Sequence, residues 1–196
     1  MSCRLVASLV TTLALLAPMT PAVAAPVVKL GIEVLQSRQA ALLQGKRVGL
    51  VTNMSAIDGR GQSDIDLLAR MPGVKLTALF APEHGLRAEL DVENIPDGRD
   101  PKTGVPIYSL YNKDRAPSAK QLANVDVLVF DIQDAGSRFY TYSTTLGLCM
   151  EAAKKHGKRF VVLDRPNPAG RPIEGTTLLS GWESFVGAGP MPMRHG

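Results

Sequence analysis

Four groups of polar residues, each placed directly after an apolar run, carry the side chains that can do chemistry in this chain. In chain order they are Asn53-Met54-Ser55, Pro82-Glu83-His84-Gly85, Asp131-Ile132-Gln133-Asp134 and Asp164-Arg165-Pro166-Asn167-Pro168. Carboxylates, amides and guanidinium groups dominate these groups. Such side chains transfer protons and bind polar substrates, so acid–base chemistry by carboxylates is the first expectation.

Glu83 is the carboxylate that we expect to be catalytic. Pro82 stiffens the strand exit and Gly85 permits a tight turn, which holds the Glu83 side chain over the end of the strand. A carboxyl group partly withdrawn from water can serve as a general acid near neutral pH. His84 can hydrogen-bond this carboxyl group or the substrate. The alternative is a loop glutamate that caps the following turn.

Asp131 and Asp134, followed closely by Arg138 and Tyr140, form a second candidate group. Carboxylates and a guanidinium bind sugar hydroxyls, and an aromatic ring can cover the apolar face of a sugar. The alternative is an Asp–Arg ion pair that holds the loop, with a tyrosine ring packed in the core.

Arg165 and Asn167 lie in a turn that two prolines make rigid. A proline restricts the residue before it to extended conformations, so both side chains project in defined directions, as binding of a carboxylate or an amide requires. The alternative is a purely structural turn that Asp164 caps.

Several common signatures are missing from the sequence. The first apolar run is not followed by G-x-G-x-x-G, and the chain contains neither a phosphate-binding G-x-x-x-x-G-K-[ST] loop nor a G-x-S-x-G serine motif. The three histidines lack the paired spacing of zinc ligands. We therefore expect neither a cofactor nor a metal. The net charge of +4 is spread along the chain without a basic run, which argues against nucleic acid as a partner.

The apolar runs predict four strands, at residues 47–52, 75–80, 125–130 and 159–163, which alternate with helices. The helices are predicted at residues 31–43, from Ser63 or Asp64 to residue 71, and at 118–123 and 143–156. This alternation predicts an α/β fold with a doubly wound, mostly parallel sheet. The long stretch between the second strand and residue 118 is expected to be a loop beside Glu83. Cys149 is expected to pack in the core.

The two ends of the chain differ from its middle. Residues 1–24 are typical of a secretory signal peptide, with Arg4, an apolar run too short for a bilayer span, and Ala22-Val23-Ala24 as the cleavage pattern. We expect export to the periplasm or the extracellular space, with no membrane anchor after processing. Residues 25–196 are expected to form one catalytic domain. The loop-like residues 187–196 are expected to mark truncation before a second, carboxy-terminal domain.

Six segments in order resemble successive blocks of the exo-β-N-acetylmuramidase family of bacterial cell-wall recycling, formerly a domain of unknown function. They are Gly49-Leu50-Val51-Thr52-Asn53, Phe80-Ala81-Pro82-Glu83-His84-Gly85, Tyr108-Ser109-Leu110-Tyr111, Phe130-Asp131-Ile132-Gln133-Asp134, Arg138-Phe139-Tyr140-Thr141-Tyr142 and Leu163-Asp164-Arg165-Pro166-Asn167-Pro168. The resemblance runs from about residue 31 to the end. It implies a Rossmann-like amino-terminal domain that carries the catalytic residues, with a second domain completing the cleft.

The resemblance also implies a reaction: release of terminal β-linked N-acetylmuramic acid from the non-reducing end of peptidoglycan fragments. Glu83 stands at the position of the catalytic acid. The matching positions that line the pocket are Asn53, Asp131, Arg138, Tyr140, Arg165 and Asn167. The partner is then a small saccharide that contains muramic acid, and an arginine facing its lactyl carboxylate would explain a preference over glucosamine.

Two mechanisms and a second class of function remain open. In the first mechanism Glu83 is the acid and Asp131 or Asp134 is its partner. In the second, the 2-acetamido group of the substrate attacks its own anomeric carbon while a carboxylate polarises it. The different class is an exported, non-catalytic module that binds a cell-wall sugar, or an inactive truncated remnant.

Overall fold

The computed structural model describes residues 28–89, 91–92 and 94–196. The strands are β1 (Lys46–Thr52), β2 (Val74–Ala81), β3 (Gly98–Arg99), β4 (Pro106–Ser109), β5 (Val127–Asp131), β6 (Arg159–Val162), β7 (Glu174–Thr177) and β8 (Pro192–Arg194). The α-helices are α1 (Gly31–Arg38), α2 (Asp64–Arg70) and α3 (Tyr142–Lys155). The predicted signal peptide, residues 1–24, lies outside the described residues.

Six of the strands form one sheet in the order β3-β4-β2-β1-β5-β6. All neighbouring pairs are parallel except the edge pair β3–β4, which is antiparallel. Counted along the chain, the five parallel strands have the order 3-2-1-4-5, which is the doubly wound, Rossmann-like arrangement. The predicted fold class is confirmed, and so are the four predicted strands, with ends that differ by one or two residues.

Helices cover both faces of this sheet, and each face has its own core. Cys149 and Ala153 of α3 pack with Val51, Phe80 and Leu128 on one face. On the other face, α1 and α2 pack with a second set of strand residues. That set includes Val48, Leu50, Leu79, Val127 and Val129. Because side chains alternate along a strand, buried strands fill both cores at once. Cys149 is fully buried as predicted, and burial raises its pKa to about 12.

Local chemistry fixes where the first two helices begin and end. Gly31 starts α1 where any side chain would meet Asp164 N at 2.4 Å, so only glycine fits this contact with the end of β6. The helix predicted at residues 31–43 stops at Arg38, because Gln39 leaves the helical conformation, and a short 3-10 turn follows at Ala40–Leu42. Ser63 caps α2, as predicted, by accepting a 3.2 Å hydrogen bond from Ile65 N.

The helix predicted at residues 118–123 is wrong. The segment forms only turns, in which Leu122 N donates to Ser118 O and Val125 N to Leu122 O. So short a segment gains too few hydrogen bonds to offset helix nucleation. The longer predicted helix is confirmed as α3, which spans 14 residues. Within the described ranges, no helix combines the length and apolar character needed to cross a bilayer.

Two segments that were expected to be loops contain strands. In the connection after β2, β4 pairs with β2 from Leu79–Ile107 to Ala81–Ser109, and β3 pairs with β4. Near the end of the chain, β7 and β8 form an antiparallel hairpin outside the main sheet. The residues of β3 and β7 are exposed, and β4 and β8 have only four and three residues, so these sequences lack the apolar alternation that predicts a strand.

Candidate active site

The carboxyl ends of the central strands bring the predicted site residues to one edge of the sheet, here called the rim. Thr52 pairs with Asp131 at the ends of β1 and β5, and Val51 pairs with Phe80 near the end of β2. Asn53 and Glu83 therefore leave the sheet beside Asp131. The strand order reverses between β1 and β5, and doubly wound sheets bind their ligands in the crevice at that point.

Glu83 lies in a tight turn at this rim. Gly85 N donates a 3.0 Å hydrogen bond to Pro82 O, which closes the turn. His84 and Gly85 both have left-handed backbones, with φ of 68° and 78°. Glycine takes this conformation without cost, but histidine is strained in it, and such strain is frequent at functional sites. Glu83 and His84 are both half-buried.

The hydroxyl groups of two residues lie beside the Glu83 carboxylate. Thr141 Oγ1 donates a 2.6 Å hydrogen bond to Glu83 Oε2. A hydrogen bond with Glu83 is the main cause that raises the pKa of Tyr111, and the neighbouring Arg115 opposes this rise. The carboxylate is therefore fixed from two separate loops, as the acid of a catalytic site must be.

A hydrogen-bonded chain connects this region to the exits of β1 and β5. The Asn53 side chain lies beside the buried phenol of Tyr142; burial raises the pKa of this phenol to about 12, and Asn53 opposes the rise. Asn53 Oδ1 accepts from Ser55 Oγ at 2.6 Å, and Ser55 Oγ accepts from Gln133 N at 3.0 Å. Tyr140 packs edge-to-face on Tyr142 at 4.7 Å between ring centroids, and it is partly exposed. Asn53 thus orients the loops, while the Tyr140 ring remains available to a ligand.

Asp131 and Arg165 form a buried ion pair at the rim. Arg165 Nε bonds to Asp131 Oδ1, and Arg165 Nη2 lies 3.2 Å from Asp131 Oδ2 and 3.0 Å from Ile57 O. The Asp131 side chain is only 1% exposed. In this arrangement the Asp131 carboxylate orients Arg165, and the pair forms with Arg165 and not with the Arg138 of its own group.

A second buried carboxyl group, Asp64, adjoins this pair and was not foreseen from the sequence as part of the site. Its Oδ2 lies 4.0 Å from Arg165 Nη2. Burial and the neighbouring Asp131 carboxylate raise the pKa of Asp64 well above its ordinary range, and Arg165 only partly opposes this. Only its position as a polar residue at the start of α2 could have signalled it.

Asp134 and Asn167 both hold backbone turns. Asp134 Oδ1 accepts from Gly136 N at 2.6 Å and lies 3.1 Å from His195 Nε2. Asn167 donates to His195 O at 2.8 Å and accepts from Ala169 N at 2.9 Å. These contacts agree with the structural alternative for the Pro166–Pro168 turn.

Arg138 contacts the β7–β8 hairpin and not Glu83. Its Nη1 donates to Thr176 O and to Met191 O, each at 2.8 Å, so it links the two sides of the hairpin. Sequence reasoning placed Arg138 in the binding group and missed Thr141, Tyr111 and Arg115. Thr141 and Tyr111 lie within two of the six segments that resemble the family, so the sequence did mark their positions. Arg115 lies in none of these segments.

The larger cavities lie to the side of Glu83. One of about 820 Å³ borders the edge strand β6, with Leu35, Val161 and Arg171 in its lining. No cluster of three or more His, Cys, Asp or Glu side chains suited to a metal ion occurs among the described residues.

Comparisons with known proteins agree on one family. The family described as exo-β-N-acetylmuramidase NamZ, N-terminal, matches residues 48–196. The peptidoglycan β-N-acetylmuramidase NamZ of Bacillus subtilis strain 168 is 49% identical over 173 residues, which cover 87% of this chain and 42% of that protein.

Two crystal structures of DUF1343 family proteins from Bacteroides fragilis NCTC 9343 have similar folds. One has a TM-score of 0.80 at 47% identity and the other a TM-score of 0.73 at 34% identity. This chain aligns over 86% of its length with each, and covers 42% and 43% of theirs. The chain thus spans less than half the length of these relatives. It belongs to the exo-β-N-acetylmuramidase NamZ family and matches the amino-terminal part of that family.

Proposed function

We propose that the protein is a glycoside hydrolase that releases terminal β-linked N-acetylmuramic acid from the non-reducing end of peptidoglycan fragments. The observation that carries this proposal is the placement of Glu83. Its carboxylate stands at the carboxyl rim of a doubly wound sheet and is held there by Thr141 and Tyr111. A 49% identical relative is named a peptidoglycan β-N-acetylmuramidase.

In this proposal Glu83 protonates the glycosidic oxygen as the bond to the anomeric carbon breaks, and a water molecule supplies the new hydroxyl group. Thr141 and Tyr111 fix the direction of the carboxyl group. The partly exposed Tyr140 ring is placed to cover the apolar face of a sugar. The loops of the rim are connected to one another by the contacts of Asn53, Asp131 and Arg165.

The burial of Asp131 favours the second of the two mechanisms. A carboxylate with a 1% exposed side chain, bound through both oxygens to Arg165, is poorly placed to attack or to face an anomeric carbon. The substrate's own 2-acetamido oxygen can do this instead, as in glycosidases with substrate assistance. An N-trifluoroacetyl substrate should then react far more slowly than the N-acetyl one. Equal rates for the two would restore a protein carboxylate as the partner.

The direct test of the function is hydrolysis of a chromogenic β-glycoside of N-acetylmuramic acid by the full-length protein, with the matching α-glycoside as the control. We expect cleavage of the β-anomer only. We also expect release of free N-acetylmuramic acid from peptide-free saccharides that carry this sugar at the non-reducing end. Saturable binding of the saccharide without cleavage would support the binding module instead.

We also propose that the protein is exported and that residues 1–24 are removed. The composition of those residues supports this. Amino-terminal sequencing of the protein from the producing cells should give a chain that begins at Ala25, and a chain that begins at Met1 would contradict export by this route.

A further inference from the structure

A third arginine, which the sequence did not single out, lies beside the carboxylate Glu83. The Arg115 guanidinium packs against two aromatic rings, with its Cζ atom 4.0 Å from the ring centroid of Tyr111 and 4.3 Å from that of Phe185. The two rings are themselves 5.8 Å apart. Such cation–π contacts fix the plane of the guanidinium group and so the directions of its N–H donors.

Tyr111 joins this guanidinium to the proposed catalytic acid. Glu83 and Arg115 both lie close enough to the Tyr111 phenol to shift its pKa, in opposite directions, and the Arg115 guanidinium lies over the Tyr111 ring. A sugar whose glycosidic oxygen faces Glu83 therefore has Arg115 within reach of another substituent of the same ring.

Arg115 differs from the other two candidate arginines in that it donates to no carboxylate or backbone carbonyl oxygen among the described residues. Arg165 is bound to Asp131 and Ile57 O, and Arg138 Nη1 to two carbonyl oxygens. Arg115 forms no ion pair with any residue in the described part of the chain, and its buried Nη1 has no hydrogen-bond partner there. An unpaired buried donor is costly, so a site that leaves one is suited to a ligand acceptor.

We propose that Arg115 binds the lactyl carboxylate of the terminal N-acetylmuramic acid and thereby sets the preference for this sugar over N-acetylglucosamine. The inference rests on the proposed function. The lactyl group is the single difference between the two sugars, and its carboxylate matches the forked donors of a guanidinium. A carboxylate also supplies the acceptor that Nη1 lacks.

The test compares three chromogenic β-glycosides with the full-length protein and its Arg115→Gln variant: N-acetylmuramic acid, its lactyl methyl ester and N-acetylglucosamine. Loss of a charge-assisted hydrogen bond should lower kcat/KM for the acid by roughly 10- to 100-fold, mostly through a higher KM. The rates with the two neutral substrates should fall much less, because these substrates lack the carboxylate that Arg115 binds. Arg115→Lys should keep part of the preference for the acid.

Lys113→Gln is the matched control, because it removes one positive charge from an exposed position in the same segment and should leave the preference unchanged. Circular dichroism and the Tm show whether each variant folds. If Arg115→Gln does not fold, the substrate preference of Arg115→Lys is used to test the role of Arg115. If the original protein cleaves the acid and the folded variant keeps the same preference, the role of Arg115 is overturned alone. If the original protein cleaves none of the three substrates, the proposed function fails and this inference with it.

Discussion

Thr141 Oγ1 donates its hydrogen bond to Glu83 Oε2, 58 residues away in sequence, although Thr141 is the N-cap residue of α3. A threonine at this position ordinarily accepts a hydrogen bond from the first turn of its own helix, and here no such bond forms. The start of α3 therefore lacks this stabilisation, and the hydroxyl group orients the proposed acid instead.

Replacing Glu83 by glutamine should lower kcat by on the order of 10² or more, because the amide cannot protonate the leaving oxygen. The side chain keeps its size, so the Tm should change little. The exposed Glu89 provides the control, since Glu89→Gln removes a carboxylate from the same connection. Unchanged turnover in the Glu83 variant would exclude it as the acid.

Thr141→Val should lower kcat roughly 10-fold, since a hydrogen bond to a charged group is lost while the side-chain volume is kept. Thr141→Ser retains the hydroxyl group and should keep most of the activity. The comparison is made by steady-state kinetics on the β-muramide. If valine and serine behave alike, the hydroxyl does not position Glu83.

Asp64→Asn should remove a pH dependence of folding. Burial and the neighbouring Asp131 carboxylate raise the pKa of Asp64, so the folded chain keeps this proton to a higher pH than the unfolded chain, in which the pKa is about 4. Between these two values the folded state binds more protons, and the free energy of unfolding falls as pH rises. Urea unfolding at about pH 5 and about pH 8 measures this fall, which should be smaller in the variant. Equal falls would mean that Asp64 titrates normally.

Arg165→Met should destabilise the fold by about 3–5 kcal/mol, because it leaves the Asp131 carboxylate buried without a cation. Arg47→Met breaks an ion pair with Asp126 at the surface and should have a much smaller effect. Urea unfolding at neutral pH compares the two. Similar losses in both variants would show that the buried pair is no more important than the exposed one.

The sequence predicted those parts of the molecule that depend on buried strands. Runs such as 47–52 are apolar because both faces of the sheet are covered, and this pattern is visible without coordinates. It also places Asn53, Glu83 and Asp131 at one rim, since parallel strands end at the same edge. The strands β3 and β4 and the hairpin were not predicted, because strands of two to four residues are too short to show an apolar pattern.

The individual roles of the polar residues depended on partners that are remote in sequence. From the sequence alone, Asp131 would be taken for an unpaired carboxylate. Its partner in the structure, Arg165, lies 34 residues later in the chain. Arg115 has no distinctive neighbours in the sequence, and only the packing of Tyr111 and Phe185 around it marks it. No spacing rule relates such pairs, so the chain could indicate which residues meet at the rim but not which of them remain open to a ligand.

The bond of Arg138 to the hairpin extends its influence beyond its own contacts. The segment between Thr176 and Met191, which Arg138 fastens at both sides, carries Phe185, and Phe185 lies over Arg115. Loss of the Arg138 side chain would release this segment and let Phe185 move away from the guanidinium. A drop in activity on mutating Arg138 is thus the expected result of a remote mechanical effect, and it would not identify Arg138 as a ligand of the sugar.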